Sequence, residues 1–208
     1  DAVRSELESA HWLPSADSPG GRLRPCDAVI VPDPLVAPLA GKLPGVLPPG
    51  WSDPALVFLG ARRLSVAELV DEVATIDAPP AWWRALYAGF AEAVPAGPER
   101  DALGALVVPL VGGERVTGPR GGVVAEPDAR LGDLSVLGVR VVHPDAAHPL
   151  LTALGAGEGG GRDLLELSQV REAVETSLDA DEPESVASAV LALVAAAVRL
   201  DRRCVDGD

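Results

Sequence analysis

The chain has 208 residues, a formal net charge of −14 at pH 7 and only 3% aromatic residues, so Ala, Val and Leu must fill most of any core. A negative field of this size repels phosphate backbones, which excludes nucleic acid from the expected partners. No apolar run reaches the roughly 18 residues that a membrane-spanning helix needs, so no membrane partner is expected either.

Cysteine usage and the absence of a recognisable signal peptide predict a cytoplasmic location. Cys26 and Cys204 stand in no local motif and are expected as free thiols in a reducing compartment. Because the chain begins at Asp1 and contains no Met, we expect it to be a segment of a longer protein. Lys42 is the only lysine among abundant Arg, Ala, Gly and Pro, a usage typical of GC-rich actinobacterial genomes.

One stretch of the sequence occurs twice, which predicts a tandem duplication with one unit over residues 11–103 and a second over 104–204. The offset between the copies is 95 residues up to Ala156 and 103 residues from Leu167 onward, so eight residues are inserted at Gly157–Leu164. We expect the glycines of Gly155–Gly160 to form a flexible loop. The matched positions are Pro32-Asp33 with Pro127-Asp128, Pro54 with Pro149, Leu59-Gly60-Ala61 with Leu154-Gly155-Ala156, Ser65 with Ser168, and Pro80 with Pro183.

The strand pattern of the first unit predicts a hairpin over residues 11–14 and 22–24, followed by a third strand over 28–31. A Pro- and Gly-rich passage comes next and is expected to be irregular.

Three helices complete the first unit. Asp53 is a good N-cap for a short helix over 54–59, because Pro54 suits the first helical position. Ser65 and Glu68 have the spacing of a capping box, which predicts a helix over 66–76 with Leu69, Val70 and Val73 as its buried stripe. A further helix is predicted over 80–94.

The second unit repeats this plan. Strands are predicted over 105–110, 115–117, 121–124 and 139–142, and helices over 149–154, 169–178 and 184–200. The predicted fold is therefore α+β, with two tandem homologous units that each consist of a small antiparallel sheet (hairpin plus strand) and about three helices.

Apolar side chains concentrate on two of these helices. Trp82, Trp83 and Tyr87 belong to a stripe at helical spacing that predicts either the main core or the joint between the units, with a binding groove as the alternative. The run Val186–Val198 is apolar nearly all round, and burial between neighbouring elements is its expected explanation.

Candidate chemistry is sparse. His143, Asp145 and His148 resemble a metal site by spacing, but His148 aligns with Asp53, which predicts a helix N-cap instead. Gly155–Gly160 matches G-x-G-x-x-G without the strand–helix context of a dinucleotide site, and Arg120 lies in a Gly-rich turn that lacks a P-loop lysine. Cys26 lies near no recognisable nucleophile motif, and the residue aligned with it in the second unit is Gly121. The sequence therefore predicts no catalytic, cofactor-binding or metal-binding residue.

Three segments carry a likeness to a known family: Ala78–Tyr87, Val108–Gly121 and Leu137–Leu151. They resemble the region downstream of the ATPase domain in bacterial sacsin-like proteins, whose N-terminal GHKL-type domain is related to the heat-shock chaperones. The ATP-site motifs of that domain are missing from this chain, so the resemblance implies a non-catalytic role beside an ATPase. It implies contact with the neighbouring GHKL-type domain, with a client protein or with a second copy, without any cofactor, and the residues assigned to such contacts are Trp82, Trp83, Tyr87 and Arg120.

Two alternative functions remain open at this point. One is a small-molecule enzyme with a site between the units, built from Arg120, Asp145 and His148. The other is a self-association module that uses Trp82, Trp83 and the Val186–Val198 helix.

Overall fold

The computed structural model describes residues 2–94, 96–125, 131–177 and 183–205. The chain divides into two compact units, unit 1 (Asp1–Leu106) and unit 2 (Val107–Asp208). The boundary predicted from the repeat, between residues 103 and 104, lies three residues earlier. Pro127-Asp128 and residue 178 of a predicted helix fall outside the described residues, and the common origin of the two units stays a prediction.

The strands of unit 1 form two pairs. The predicted hairpin is confirmed, because β1 (Leu13–Pro14) pairs antiparallel with β2 (Arg22–Leu23). The predicted third strand is also present as β3 (Val29–Ile30), but it pairs parallel with β4 (Arg62–Arg63). The prediction of one antiparallel sheet made of the hairpin and the third strand was therefore wrong. The chain passes through helices between β3 and β4, and such crossover connections bring strands together in parallel.

Helices make up most of unit 1. In chain order they are α1 (Ala2–Ser9), α2 (Asp33–Leu39), α3 (Pro54–Phe58), α4 (Val66–Ala74), α5 (Pro80–Ala93) and α6 (Glu99–Ala102). The predicted caps are confirmed, since Asp53 accepts a hydrogen bond from the Ala55 N–H at 2.8 Å and Ser65 forms a capping box with Glu68. No helix in the described part of the chain combines the length and apolarity needed to span a bilayer.

Helix α2 was missed because its sequence, DPLVAPL, carries two prolines. Pro34 lies in the first turn, where a missing N–H breaks no helical hydrogen bond. Helix α2 packs on α5, and Gly89 is the point of close approach: a Cβ there would lie 2.8 Å from both the Leu35 Cδ2 and the Pro34 carbonyl oxygen.

The aromatic stripe of α5 forms the core of unit 1. Trp83, Leu86, Tyr87 and Phe90 have no exposed surface. The predicted stripe of α4 is buried too, with Leu69, Val70 and Val73 at 0–3% exposure. The core interpretation of both stripes is therefore confirmed.

The capping box should make part of the stability of unit 1 depend on pH. The backbone N–H and the hydroxyl of Ser65 donate to the Glu68 carboxylate at 2.8 and 2.7 Å, and these bonds lower the pKa of Glu68 below its ordinary 4.5. Because the folded pKa lies below the unfolded one, this contribution is complete above the unfolded pKa and is lost as the pH falls through the folded pKa.

We therefore expect Glu68→Gln, which keeps a capping side chain, to lower the thermal midpoint near neutral pH. The difference from the unsubstituted chain should shrink as the pH falls below about 4.5. Thermal unfolding followed by circular dichroism across this pH range is the measurement. A difference that is the same at every pH would show that Glu68 contributes no charge-dependent stability.

Unit 2 contains a similar hairpin and a parallel sheet. Strand β5 (Val107–Pro109) pairs antiparallel with β6 (Arg115–Thr117), and β7 (Gly122–Ala125) lies between β8 (Arg140–Val141) and β9 (Gly157–Gly159), parallel to both. As in unit 1, the predicted antiparallel pairing of the third strand was wrong. Backbone bonds tie the hairpin to the parallel strands, with the Val111 N–H donating to the Val141 carbonyl at 3.0 Å.

Several local geometries recur in the two units. Gly60 and Gly155 both have φ of 107°, a left-handed value that suits glycine, at the end of the equivalent short helices. The Ala61 N–H donates to the Leu56 carbonyl at 2.9 Å, and the Ala156 N–H donates to the Leu151 carbonyl at 3.0 Å. Ala16 and Val111 likewise donate to Val46 and Val141, which join each hairpin to its neighbouring extended segment.

The helices of unit 2 differ from those of unit 1 most at the insertion. They are α7 (Pro149–Ala153), α8 (Gly161–Leu165), α9 (Ser168–Glu175) and α10 (Pro183–Val205). The flexible loop predicted for Gly155–Gly160 was wrong, because Gly157–Gly159 forms β9, and the inserted residues Gly157–Leu164 together form β9 and most of α8. Gly161 lets α8 approach α10 closely, since a Cβ there would lie 2.7 Å from the Leu193 carbonyl oxygen.

Candidate protein-interaction surfaces

The three aromatic residues predicted for partner contacts lie on α5 with different exposures. Trp83 and Tyr87 are fully buried, and burial raises the pKa of the Tyr87 hydroxyl above its ordinary value. Trp82 is half-buried; its ring meets Trp83 edge-on at 5.0 Å between centroids, and its indole N–H donates to the Pro38 carbonyl at 2.7 Å. Folded unit 1 therefore leaves Trp83 and Tyr87 no surface for a partner, and only Trp82 keeps part of one.

Arg120 is exposed and lies against the turn that follows α7. A Cβ on Gly155 would be 3.1 Å from the Arg120 Cγ, so the aliphatic part of the arginine covers this glycine. In unit 1 the residue in the same place beside Gly60 is Cys26. Arg120 stays a predicted contact residue for a partner protein.

Both histidines of the apparent metal motif act as helix caps. The His148 Nδ1 accepts a hydrogen bond from the Leu150 N–H at 3.1 Å, which confirms the predicted N-cap. The His143 Nδ1 accepts from the Asp145 N–H at 3.2 Å and caps a short 3-10 turn. Across the described residues, no group of three His, Cys, Asp or Glu side chains could hold a metal ion.

The Gly155–Gly160 segment lacks the geometry of a dinucleotide fingerprint. Gly157–Gly159 is itself a strand, and the helix that follows has five residues. The Asp163 carboxylate already accepts the Gly160 N–H at 2.9 Å, so an acidic side chain lies where a phosphate would bind.

An open pocket of about 290 Å³ lies in unit 2 beside the β5–β6 hairpin. Glu114, Asp133 and Arg140 contribute charges to its wall. Asp133 is already engaged, because its carboxylate accepts the Ser135 N–H at 2.9 Å. The polar and charged residues that line it, Glu114, Asp133, Ser135 and Arg140, are all exposed, so the pocket has no desolvated group to orient a ligand.

Unit 1 exposes a set of large apolar side chains near α1 and α3, here called the Phe58 surface. Every large apolar residue that is exposed in the described part of unit 1 belongs to it: Val3, Leu7, Trp51, Val57 and Phe58. Phe58 is 77% exposed and Val3 is 70% exposed. The concentration of these side chains in one region sets it apart from the scattered apolar residues of an ordinary surface.

Specific contacts hold the elements of the Phe58 surface together. The Arg4 guanidinium donates to the Phe58 carbonyl at 3.1 Å and links α1 to the end of α3. The Trp12 indole N–H donates to the Leu7 carbonyl at 2.9 Å, and the Trp12 ring lies 6.3 Å from that of Trp51. The surface is therefore assembled from separate segments of the fold.

Helix α10 carries a second exposed apolar face. Its inner face packs into the core of unit 2 through Val186, Ala189 and Leu193, as the predicted burial required. Its outer face exposes Leu191 at 68%, together with Val194 and Val198. Burial between neighbours thus explains one side of this helix and leaves the other unexplained.

No known protein family, curated protein or solved structure matches this chain.

The Phe58 surface was missed from the sequence, although the repeat carried a signal for it. Val57 and Phe58 align with Thr152 and Ala153, so the second unit has small or polar residues where the first has large apolar ones. The short helix of unit 2 forms with small or polar residues at these two positions, so a large apolar side chain there is not needed for the core. Large apolar side chains at these positions in unit 1 therefore indicate contact with a partner.

Proposed function

We propose that the chain is a non-catalytic scaffold and protein-interaction segment of a cytoplasmic, sacsin-like, chaperone-related ATPase, and that the Phe58 surface binds an apolar segment of a client protein. The observation that carries this proposal is the gathering of every exposed large apolar side chain of described unit 1 in that surface. Apolar patches on a folded surface are typical of protein-binding sites.

The local structure suits Phe58 to the role of an anchor. Helix α3 is fixed at its start by the Asp53 cap and on its inner side by Leu56, which is 6% exposed. An aromatic side chain on a fixed helix loses little conformational entropy on binding, so most of the burial energy is available for affinity. The net charge of −14 favours neutral or basic clients.

The connection to an ATPase is supported by the sequence resemblance of Ala78–Tyr87, Val108–Gly121 and Leu137–Leu151. On this proposal the nucleotide site belongs to the neighbouring GHKL-type domain of the parent chain. A calorimetric titration with ATP–magnesium should then give no saturable heat. Saturable binding of ATP to this chain would contradict the proposal.

The client-binding step can be tested with a permanently unfolded basic protein, reduced and alkylated lysozyme carrying a fluorescent label. We expect saturable binding by fluorescence anisotropy, and Phe58→Ser should raise the dissociation constant about tenfold or more, because a buried Phe contributes roughly 1.5–3 kcal/mol. The matched control is Val174→Ser, an exposed apolar residue of α9 in unit 2, which should leave the constant unchanged. Equal effects of the two substitutions, or no binding, would contradict a role of the Phe58 surface.

A further inference from the structure

Two tryptophans form an aromatic pair at the Phe58 surface. The rings of Trp12 and Trp51 lie 6.3 Å apart between centroids and are tilted by 59° to each other. Trp51 is 37% exposed and Trp12 is half-buried. The loop that carries Trp51 is fixed, because the Gly50 N–H donates to the two oxygens of the Asp33 carboxylate at 3.1 and 3.2 Å. The exposed part of the Trp51 ring is therefore held in place.

The indole N–H groups of this pair differ in their partners. The Trp12 indole N–H donates to the Leu7 carbonyl at 2.9 Å. The backbone N–H of Trp51 donates to the Pro48 carbonyl at 3.3 Å, but its indole N–H has no hydrogen-bond partner among the described residues. A tryptophan N–H at an interface usually donates to an acceptor of the partner. The Trp51 ring therefore offers a partner one hydrogen bond together with its apolar face.

Backbone carbonyl groups at the Phe58 surface already accept hydrogen bonds. The Arg4 guanidinium donates to the Phe58 carbonyl at 3.1 Å, and the Arg63 guanidinium donates to the Ser52 carbonyl. The Leu7 carbonyl is occupied in the same way by an indole N–H. A guanidinium carries five N–H groups, so each arginine keeps further donors after these contacts. The surface therefore combines apolar area with N–H donors, while these three backbone acceptors are in use.

A proline-rich segment has the chemistry that complements this surface. Proline has an apolar ring and no backbone N–H. In the polyproline II helix the carbonyl groups make no internal hydrogen bonds, so they are available as acceptors. Several unrelated recognition domains bind such segments on aromatic-lined grooves, where the preformed helix keeps the entropy cost of binding low.

From this complementarity we infer that the client segment bound at the Phe58 surface is a proline-rich stretch in the polyproline II conformation. Its rings pack on Trp12 and Trp51, and one of its carbonyl groups accepts a hydrogen bond from the Trp51 indole. This inference rests on the proposed function, and it adds the chemical class of the client segment.

A fluorescein-labelled peptide of about ten prolines tests the inference by fluorescence anisotropy. We expect saturable binding, whereas a labelled Gly-Ser peptide of the same length, which is a flexible coil, should not bind. Trp51→Phe keeps an aromatic ring but removes the donor, and should raise the dissociation constant about three- to tenfold. Trp51→Ala removes the ring as well and should raise it about thirtyfold or more. The remote control Val174→Ser, on α9, should leave the constant unchanged.

Proton–nitrogen correlation NMR of the indole groups adds a readout that a loss of folding does not mimic. The Trp51 indole signal, identified by its absence from the spectrum of Trp51→Phe, should shift when the proline peptide is added. The signal of Trp83, which has no exposed surface, should stay in place.

The two ligands separate this inference from the proposed function. Binding of reduced and alkylated lysozyme without binding of the proline peptide would overturn the inference and leave the proposed function standing. Failure of both ligands to bind would contradict both. Binding of the proline peptide that neither Trp51 substitution weakens would place the peptide elsewhere on the chain and would also overturn the inference.

Discussion

Replacing Trp83 with Ala should lower the free energy of unfolding of unit 1 by about 3–5 kcal/mol. The indole has no exposed surface and lies within the aromatic core, with its ring centroid 6.3 Å from that of Tyr87. Its removal loses the transfer energy of a large apolar side chain and leaves a cavity that Leu86 and Phe90, held by the same helix, cannot fill. With typical domains stable by about 5–15 kcal/mol, the loss is a large part of the total. Urea denaturation followed by far-ultraviolet circular dichroism measures it.

The neighbouring tryptophan provides the control. Trp82 precedes Trp83 on the same helix but is half-buried, and its indole N–H donates to the Pro38 carbonyl at 2.7 Å. Trp82→Ala should lose part of the apolar contact and one hydrogen bond, with a smaller cost of about 1–2 kcal/mol. If the two substitutions destabilise the chain equally, the assignment of Trp83 to the core and Trp82 to its edge is wrong.

Elements with local signals were predicted well from the sequence. Asp53 and His148 each precede a proline at the first helical position, and Ser65 precedes Glu68 by three residues. In each case the hydrogen bonds that fix the helix start join residues two or three apart. Because the bonded residues are close in sequence, residue preferences at helix ends and the spacing of the residues were sufficient to predict these caps.

Elements that depend on distant contacts were predicted poorly. The direction of β3 is set by its pairing with Arg62–Arg63, about thirty residues later, and no local pattern distinguishes this from an addition to the hairpin. Helix α8 lies in a glycine-rich segment, and the low helix propensity of glycine predicts a loop there. Packing on α10 at Gly161 stabilises the helix instead. Tertiary packing overrode local preference in both cases.

The candidate surfaces were the hardest part to predict, because a helix that is apolar all round does not reveal which side is covered. For Val186–Val198 the sequence predicted burial, and the structure separates an inner face at Leu193 from an outer face at Leu191.

Gly45→Ala should destabilise unit 1 by roughly 2–5 kcal/mol, through two separable effects. The residue has φ of 83°, in the left-handed region, where a Cβ costs about 1–2 kcal/mol. In addition, that Cβ would overlap the carbonyl oxygen of Asp27, next to the start of β3. The backbone has little freedom to yield there, because the Val29 N–H donates to the Gly45 carbonyl at 2.7 Å and the Gly45 N–H donates to the Asp17 carboxylate at 3.1 Å.

Gly41 isolates the steric part of this effect. It also has a left-handed φ, of 73°, and its N–H donates to the same Asp17 carboxylate at 2.9 Å, but a Cβ there would meet nothing within 4 Å. Gly41→Ala should therefore cost only the conformational term of about 1–2 kcal/mol. The difference between the two urea midpoints measures the overlap with Asp27. Equal losses would mean that the loop between α2 and α3 moves away from β3 at little cost, and that the sheet of unit 1 does not depend on a fixed loop at Gly45.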